Sequence, residues 1–224
     1  MNVIVFASRK GGSGKSTLTA HIAAHVHKSS RPCLLIDADP QGSLTLWHGL
    51  RGTGEPMLKS GVRGVPEILK AAKRDYDWAF IDTPPTVSAV VSDAIKAATL
   101  VVIPTRPTVF DLTAVRETIE TCRAARKPYA VVVNAAPVKR EDQEAPIVTQ
   151  AREGLAKLRV PVWGGQITQR TNFTISLAAG EGAREYDAES AAAAEIGRLW
   201  TAIAKSVQAI EGAYSGAVMH KAAA

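Results

Sequence analysis

Cysteine is scarce in this chain of 224 residues, which contains only Cys33 and Cys122. Two isolated cysteines form neither a redox pair nor a zinc-ligand set, which excludes a disulfide-rich scaffold and a zinc domain. Cys33 lies in an apolar run typical of a strand. We expect both thiols to be buried within a protein of the reducing cytoplasm.

Long apolar runs are also lacking. No segment approaches the ~20 consecutive apolar residues of a membrane span, and the first apolar run, 3–7, is too short for a signal peptide. The hydrophobic fraction of 46% suits one well-packed domain at this length rather than two. We therefore predict a single domain over 1–212 and a flexible C-terminal tail over 213–224.

Apolar, β-branched runs alternate with helical patterns along the chain. This alternation predicts an α/β fold, a mostly parallel twisted β-sheet flanked by helices on both faces. Strands are predicted at 2–7, 32–36, 78–81, 100–104, 129–134 and 160–163. Helices are predicted at 15–27, 65–73, 88–97, 112–125, 145–158 and 190–210. The Gly-, Pro- and Lys-rich stretch 49–64 is predicted to be a loop.

Two predicted helices carry features that need interpretation. In the first, His21 and His25 lie four residues apart, but no carboxylate completes a metal site, so we assign both to the polar face. In the last, the apolar side chains recur on one face, which indicates docking on the sheet, with membrane binding as the alternative. That stripe consists of Ile196, Leu199, Trp200, Ile203, Val207 and Ile210.

The start of the chain is the most informative segment, because the apolar run 2–7 ends in the glycine-rich sequence R-K-G-G-S-G-K-S-T. A strand, a glycine turn and a helix form a phosphate-binding loop, in which backbone N–H groups and the helix N-terminus converge on an anion. Lys15 is expected to reach the β- and γ-phosphates and Ser16 to bind Mg²⁺. Where the usual pattern has its first glycine, this chain has Arg9, followed by a second lysine, Lys10.

Two acidic motifs follow later strands. Asp37 and Asp39 belong to the sequence D-A-D-P-Q-G, and Asp82 opens the sequence D-T-P-P. Carboxylates at the carboxyl ends of strands can hold Mg²⁺ through water beside a phosphate loop. The Asp-Pro and Gln-Gly pairs would also suit an ordinary turn. An apolar run that ends in one aspartate is common, and it gains weight only from the other two motifs.

Together, K-G-G-x-G-K-S, D-x-D-P-Q-G and D-T-P-P resemble the deviant Walker A ATPases of the ParA/MinD family. The resemblance covers about 2–210 and is most like a short ParA without an N-terminal helix-turn-helix domain. It implies a P-loop NTPase fold, with ATP and Mg²⁺ as cofactors and slow ATP hydrolysis in the absence of a partner. It also implies a homodimer when ATP is bound.

The resemblance further implies a role for each motif residue. Lys10 would cross the dimer interface to the nucleotide of the other subunit, and Asp39 would orient the attacking water. Asp37 and Asp82 would support the Mg²⁺–water shell together with Ser16. The implied catalytic residues are Lys10, Lys15 and Asp39. The implied nucleotide-binding residues are Lys10, Gly11, Gly12, Ser13, Gly14, Lys15, Ser16, Thr17 and Asn134.

Outside these motifs the assignments are less direct. Asn134 ends an apolar run and could contact adenine, as an asparagine there does in relatives, or simply cap a buried strand. Asp111 is expected in the N-cap region of its helix. Candidate DNA contacts are Arg170, Arg184 and Arg198, by the position of basic residues in relatives, although each could be a solvated surface charge.

The formal net charge of +6 permits contact with a polyanion without requiring it. The leading hypothesis is a cytoplasmic, nucleoid-associated ParA-like ATPase that binds DNA non-specifically. It would position or segregate a cargo, with hydrolysis stimulated by a ParB-like or cargo adaptor protein. The alternatives are a MinD-like membrane-cycling ATPase and a metabolic ATP-dependent ligase. The D-x-D-P-Q-G motif argues against the ligase.

Overall fold

The computed structural model describes residues 1–222, apart from the side chains at 109, 110, 112 and 214–222. The strands are β1 (Asn2–Phe6), β2 (Cys33–Asp37), β3 (Met57–Ser60), β4 (Trp78–Asp82), β5 (Leu100–Thr105), β6 (Tyr129–Ala136) and β7 (Val162–Thr168). The helices are α1 (Lys15–Val26), α2 (Ser43–Arg51), α3 (Val65–Ala72), α4 (Ala89–Ala97), α5 (Val109–Ala124), α6 (Pro146–Lys157), α7 (Thr171–Ala178), α8 (Ala183–Tyr186) and α9 (Ala191–Ala222).

The seven strands form one parallel sheet in the order β3-β2-β4-β1-β5-β6-β7. Its centre is almost entirely buried, because helices cover both faces. Helices α3 to α6 pack on one face, and α1, α2, α7, α8 and α9 pack on the other. The predicted α/β architecture is therefore confirmed.

The strand register brings the acidic motifs together. Asp82 at the end of β4 pairs with Asp37 at the end of β2 on one side and with Phe6 at the end of β1 on the other. Because parallel strands share one carboxyl edge, the phosphate-loop region and both acidic motifs meet there. The fold thus places the three motifs at one site, although they are far apart in the chain.

The last helix docks on the sheet, as its stripe predicts. Ile196, Leu199, Ile203 and Val207 are buried, and Trp200 packs edge-on against Trp78 at a centroid distance of 4.7 Å. Helix α9 runs to Ala222, beyond the predicted end at 210. The predicted tail over 213–224 lies almost wholly outside the residues whose side chains are described, so its flexibility stays a prediction.

Four elements were not predicted. Helix α2 and strand β3 lie partly or wholly within the predicted loop 49–64, and α7 and α8 are also new. β3 is a four-residue edge strand with largely exposed side chains, so it lacks the alternation of a half-buried strand. α2 and α7 begin without a side-chain cap, which removes the usual start signal.

The polar-face assignment of His21 was wrong. His21 is 1% exposed; its Nδ1 accepts a hydrogen bond from the N–H of Ala183 at 3.1 Å, and its ring packs 5.0 Å from that of Phe173. Burial lowers the pKa of His21 to about 4, so the ring is neutral at physiological pH. Both cysteines are buried as predicted, and burial raises the pKa of each thiol to about 12.

Candidate nucleotide site

The glycine-rich loop connects β1 to α1 at the centre of the sheet. Gly14 immediately precedes α1 and has a φ of 97°, in the left-handed region that favours glycine. A Cβ at Gly14 would stand 2.0 Å from Nδ2 of Asn134. Both the backbone conformation and the close approach of Asn134 therefore require glycine at this position.

Lys15 is buried at the first position of α1. Its Nζ donates to the carbonyl oxygen of Lys10 at 3.4 Å, which keeps the side chain folded over the loop. Burial lowers its pKa, and the charges of Asp82 and Asp39 partly oppose that shift. A buried ammonium group in this position would bind a phosphate anion favourably, since the anion replaces lost hydration.

Asp82 and Ser16 form the second part of the site. The Ser16 hydroxyl donates to Oδ2 of Asp82 at 2.5 Å, whereas Oδ1 is buried without a hydrogen-bond partner among the described residues. Burial raises the pKa of Asp82 to about 7, against the lowering effects of Ser16 and Lys15. An unsatisfied carboxylate oxygen beside a hydroxyl fits Mg²⁺ and its bound water.

The two aspartates after β2 have different surroundings. Asp37 accepts hydrogen bonds from the backbone N–H and the hydroxyl of Thr45, at 2.9 and 2.7 Å, so it also anchors the first turn of α2. Asp39 accepts from the N–H of Gln41 at 2.9 Å and borders the cleft beside the phosphate loop. The segment therefore forms the turn that its Asp-Pro and Gln-Gly pairs suit, while the roles of both aspartates in the site stay predictions.

A cleft of about 840 Å³ opens over the loop. Its lining includes Lys15, Ser16 and Asp39 from the motifs, and also side chains that no sequence motif identified, namely Trp47, Arg106 and Phe173. Their signal in the sequence is weak, because each belongs to an element whose start was not predicted or to a turn between elements. The position of the cleft at the carboxyl edge of a parallel sheet agrees with the general location of ligands in such folds.

Helix α2 lines part of this cleft and is joined to α8 and to the turn before it by hydrogen bonds of Arg51. The guanidinium of Arg51 forms a bidentate pair with Glu185, at 2.5 and 2.6 Å, and also donates to the carbonyl of Gly180 at 3.1 Å. It stacks 5.4 Å from the ring of Trp47, which lines the cleft. A bidentate arginine pair fixes orientation as well as distance. The segment after Asp39 is therefore joined to α8 and to the turn between α7 and α8.

Asn134 is joined to the phosphate loop. Its Nδ2 donates to the carbonyl oxygen of Ser13 at 2.7 Å, and the residue lines the cleft. One N–H of the amide is therefore used to support the loop, a role that the sequence did not indicate. Contact of Asn134 with adenine stays a prediction.

The three candidate DNA contacts lie in different settings. Arg170 donates to Oε1 of buried Glu195 at 2.8 and 3.1 Å and borders the cleft, so its guanidinium is engaged within the protein. Arg184 on α8 and Arg198 on α9 are exposed. Their role in DNA binding stays a prediction. Asp111 lies where predicted, since it hydrogen-bonds Thr108, the N-cap residue of α5.

Lys10 differs from Lys15 in its exposure. Lys10 is exposed, and within the described part of the chain its ammonium makes no hydrogen bond or ion pair. The same loop thus directs one lysine inward and the other toward solvent.

Comparison with known proteins agrees with this geometry. Residues 4–183 match the CobQ/CobB/MinD/ParA nucleotide binding domain. The chain therefore belongs to this family and is a ParA/MinD-family P-loop ATPase.

Individual proteins of known sequence or structure are also similar to this chain. The chain is 27% identical over 198 residues to "Maintenance of carboxysome distribution protein A" of Halothiobacillus neapolitanus, which covers 86% of this chain and 91% of that protein. It is 30% identical over 159 residues to "Chromosome-partitioning ATPase Soj" of Thermus thermophilus, covering 56% and 64%. The structure of the septum site-determining protein MinD with Mg-ADP, from Pyrococcus horikoshii, superimposes with a TM-score of 0.73. It has 20% identity, over 90% of this chain and 95% of that one.

In the described part of the chain, no helix is both long and apolar enough to cross a bilayer.

Proposed function

We propose that this chain is a ParA-like ATPase that dimerises when it binds ATP with Mg²⁺, binds DNA non-specifically and positions or segregates a cargo. A partner adaptor would stimulate hydrolysis. The observation that carries the proposal is the opposite orientation of two lysines in one loop: Lys15 is buried against the phosphate site, whereas Lys10 is exposed beside it. An exposed lysine in this position suits a second nucleotide, brought by a second copy of the chain.

The proposed reaction is hydrolysis of ATP. The oxygen of a water molecule forms a bond to the γ-phosphorus, and the β–γ bridging oxygen leaves with the electron pair as part of ADP. The protons of that water end on inorganic phosphate and solvent. Asp39 would orient the water, while Lys15 would hold the phosphate chain.

The residues at the metal position fit Mg²⁺. Ser16 and Asp82 would hold it, with Asp37 near the outer shell, and the metal would neutralise phosphate charge. Among the residues whose side chains the structure describes, no group of three His, Cys, Asp or Glu is arranged as a metal site by itself.

The relatives support the positioning role. One is named for carboxysome distribution and another for chromosome partitioning. We infer that this chain likewise moves or spaces a large cargo, with the nucleoid as its matrix. Its net charge of +6 is compatible with phosphate contacts, and the cargo and adaptor would be specific to its host.

A MinD-like membrane cycle is the second candidate, favoured by the likeness to a MinD fold. Helix α9 argues against it, because the apolar stripe from Ile196 to Val207 is buried against the sheet. A buried stripe is not available to insert into a lipid surface.

DNA binding by the variant Asp39→Ala is the direct test. This variant should bind ATP and remain dimeric, because the attacking water is no longer oriented. We expect it to bind duplex DNA of random sequence with ATP but not with ADP, and the affinity to fall steeply as salt is raised. Lys15→Ala, which should not bind nucleotide, is the matched control. An ATP-bound dimer that ignores DNA and binds vesicles containing anionic lipid would favour the membrane cycle instead.

A further inference from the structure

Arg106 lies in the turn between β5 and α5, and its side chain reaches over the phosphate loop. Its Nη2 is 3.5 Å from the point where a Cβ on Gly12 would stand, and it lines the same cleft as Lys15 and Ser16. Within the described part of the chain, its guanidinium makes no hydrogen bond or ion pair. An unpaired arginine is thus positioned against a loop built to bind anions.

The backbone of this turn is well anchored. The carbonyl of Arg106 accepts hydrogen bonds from the N–H of Thr108 at 2.8 Å and from the hydroxyl of Thr105 at 3.1 Å. Thr108 in turn caps α5, and Pro107 has a fixed φ. The side chain therefore starts from a fixed point at the end of a central strand, which limits where its guanidinium can lie.

The chemistry of the guanidinium identifies its ligand. Arginine presents N–H donors in a planar fork that matches two phosphate oxygens, whereas a lysine offers a point charge. The nearest concentration of anion-binding groups is the loop that contains Gly12 and Lys15. A phosphate chain held by this loop would lie within reach of both the loop N–H groups and the guanidinium.

We propose that Arg106 binds the phosphate chain of the nucleotide held in its own subunit and stabilises the negative charge that develops on the transferred phosphoryl group. This inference rests on the proposed ATPase function. It adds Arg106 to Lys15 as a second cation from the same subunit at one nucleotide, while Lys10 comes from the other subunit. Neither the phosphate-loop motif nor the two acidic motifs contains Arg106.

Substitution of Arg106 tests the inference. Arg106→Ala should lower kcat on the order of 10²-fold and weaken ATP binding several-fold, since it removes charge stabilisation from both states but more from the transition state. Arg106→Lys should recover ATP affinity better than kcat, because it keeps the charge and loses the fork. Arg74→Ala is the matched control, since Arg74 is exposed in the turn before β4, at the opposite end of the strands.

The readouts separate this inference from the function on which it rests. If the unmodified protein hydrolyses ATP and Arg106→Ala matches it in both kcat and ATP affinity, the role of Arg106 is overturned and the ATPase function stands. If the unmodified protein neither dimerises nor hydrolyses ATP, the proposed function fails. Equilibrium binding of ATP then still tests the role of Arg106. Weaker binding by Arg106→Ala than by the unmodified protein would support contact with the phosphate chain, and equal binding would contradict it.

Mixing two impaired variants tests whether Arg106 acts on the nucleotide of its own subunit. In a mixed dimer of Lys10→Ala and Arg106→Ala, one nucleotide has Arg106 of its own subunit and Lys10 of the other. We expect the rate of hydrolysis to rise on mixing well above the low rate of either variant alone. If light scattering shows the mixed dimer and no activity returns, Arg106 acts across the interface like Lys10, and the assignment to its own subunit is overturned.

Discussion

Asp82 shows how burial prepares a single residue for a ligand. The carboxyl group is 0% exposed, and burial raises its pKa from the ordinary value of 3.8 to about 7. Its neighbour Lys15 has its pKa lowered by the same cause. Each group is therefore poorly solvated when charged, and a metal ion at one and a phosphate at the other would restore favourable interactions.

This shift predicts a pH dependence of stability without nucleotide. Between about pH 4 and pH 7 the folded protein binds more protons at Asp82 than the unfolded chain does, because the folded pKa is the higher one. The free energy of unfolding attributable to Asp82 should therefore decrease as pH rises through this range and stay constant above it. Asp82→Asn should flatten this part of the profile, as measured by thermal unfolding from pH 5 to pH 8. Parallel profiles for the two proteins would contradict the assignment.

Gly14 predicts a steric effect at the loop. Gly14→Ala should destabilise the protein by about 1–3 kcal/mol, because of its positive φ and the clash with Asn134. Nucleotide affinity should fall as well, and both effects are measurable by chemical unfolding and a fluorescent ATP analogue. Gly11→Ala is the control for stability, since a Cβ there meets nothing within 4 Å. Adding Asn134→Ala to Gly14→Ala should recover only the stability that the clash with Asn134 removes. If no stability is recovered, the strain of the backbone at residue 14 is the whole cause.

Among the elements, α9 contributes most clearly to the core of its face. Trp200 packs edge-on against Trp78 and lies 6.0 Å from the ring of Phe80, also edge-on. Trp200→Ala should therefore lower the free energy of unfolding by about 3 kcal/mol, measured in urea. Arg198→Ala, on an exposed part of the same helix, should change it by less than about 0.5 kcal/mol. Equal effects of the two substitutions would contradict the docking of α9.

The elements also show what local sequence can and cannot reveal. β1, β2 and β4 to β6 are apolar runs with clear ends, so pattern alone located them close to their true bounds. β7 was predicted at 160–163 but runs from Val162 to Thr168, because Gly164 and Gly165 interrupt its apolar pattern. Edge strand β3 is defined by its pairing with β2 rather than by its own composition.

The site could be predicted only where its residues belong to contiguous sequence motifs. Lys15, Ser16 and Asp39 line one cleft, and Asp82 accepts a hydrogen bond from Ser16 just beneath it, so the motifs come together as they implied. The support of the loop by Asn134 and the position of Arg106 depend on contacts between distant segments. Such contacts leave no local pattern, so only the folded structure reveals them.

For the whole molecule, the orientation of Lys10 predicts that assembly follows nucleotide state. Lys10→Ala should still bind ATP as a monomer, because Lys15 and the loop are unchanged, but it should lose ATP-driven dimerisation. Light scattering with ATP and with ADP measures this directly. Lys15→Ala is the comparison, expected to lose ATP binding itself. A Lys10→Ala protein that dimerises normally with ATP would remove the proposed role of the exposed lysine.

The docking of α9 also determines how the molecule can be divided. The match to the family ends at residue 183, yet the helix that covers Phe80 and Trp78 begins only at Ala191. A recombinant fragment cut at the family boundary would leave those aromatic rings in contact with water and would tend to aggregate. We therefore expect the folding unit to extend beyond the residues 4–183 of the family match, and expression boundaries should be drawn after α9.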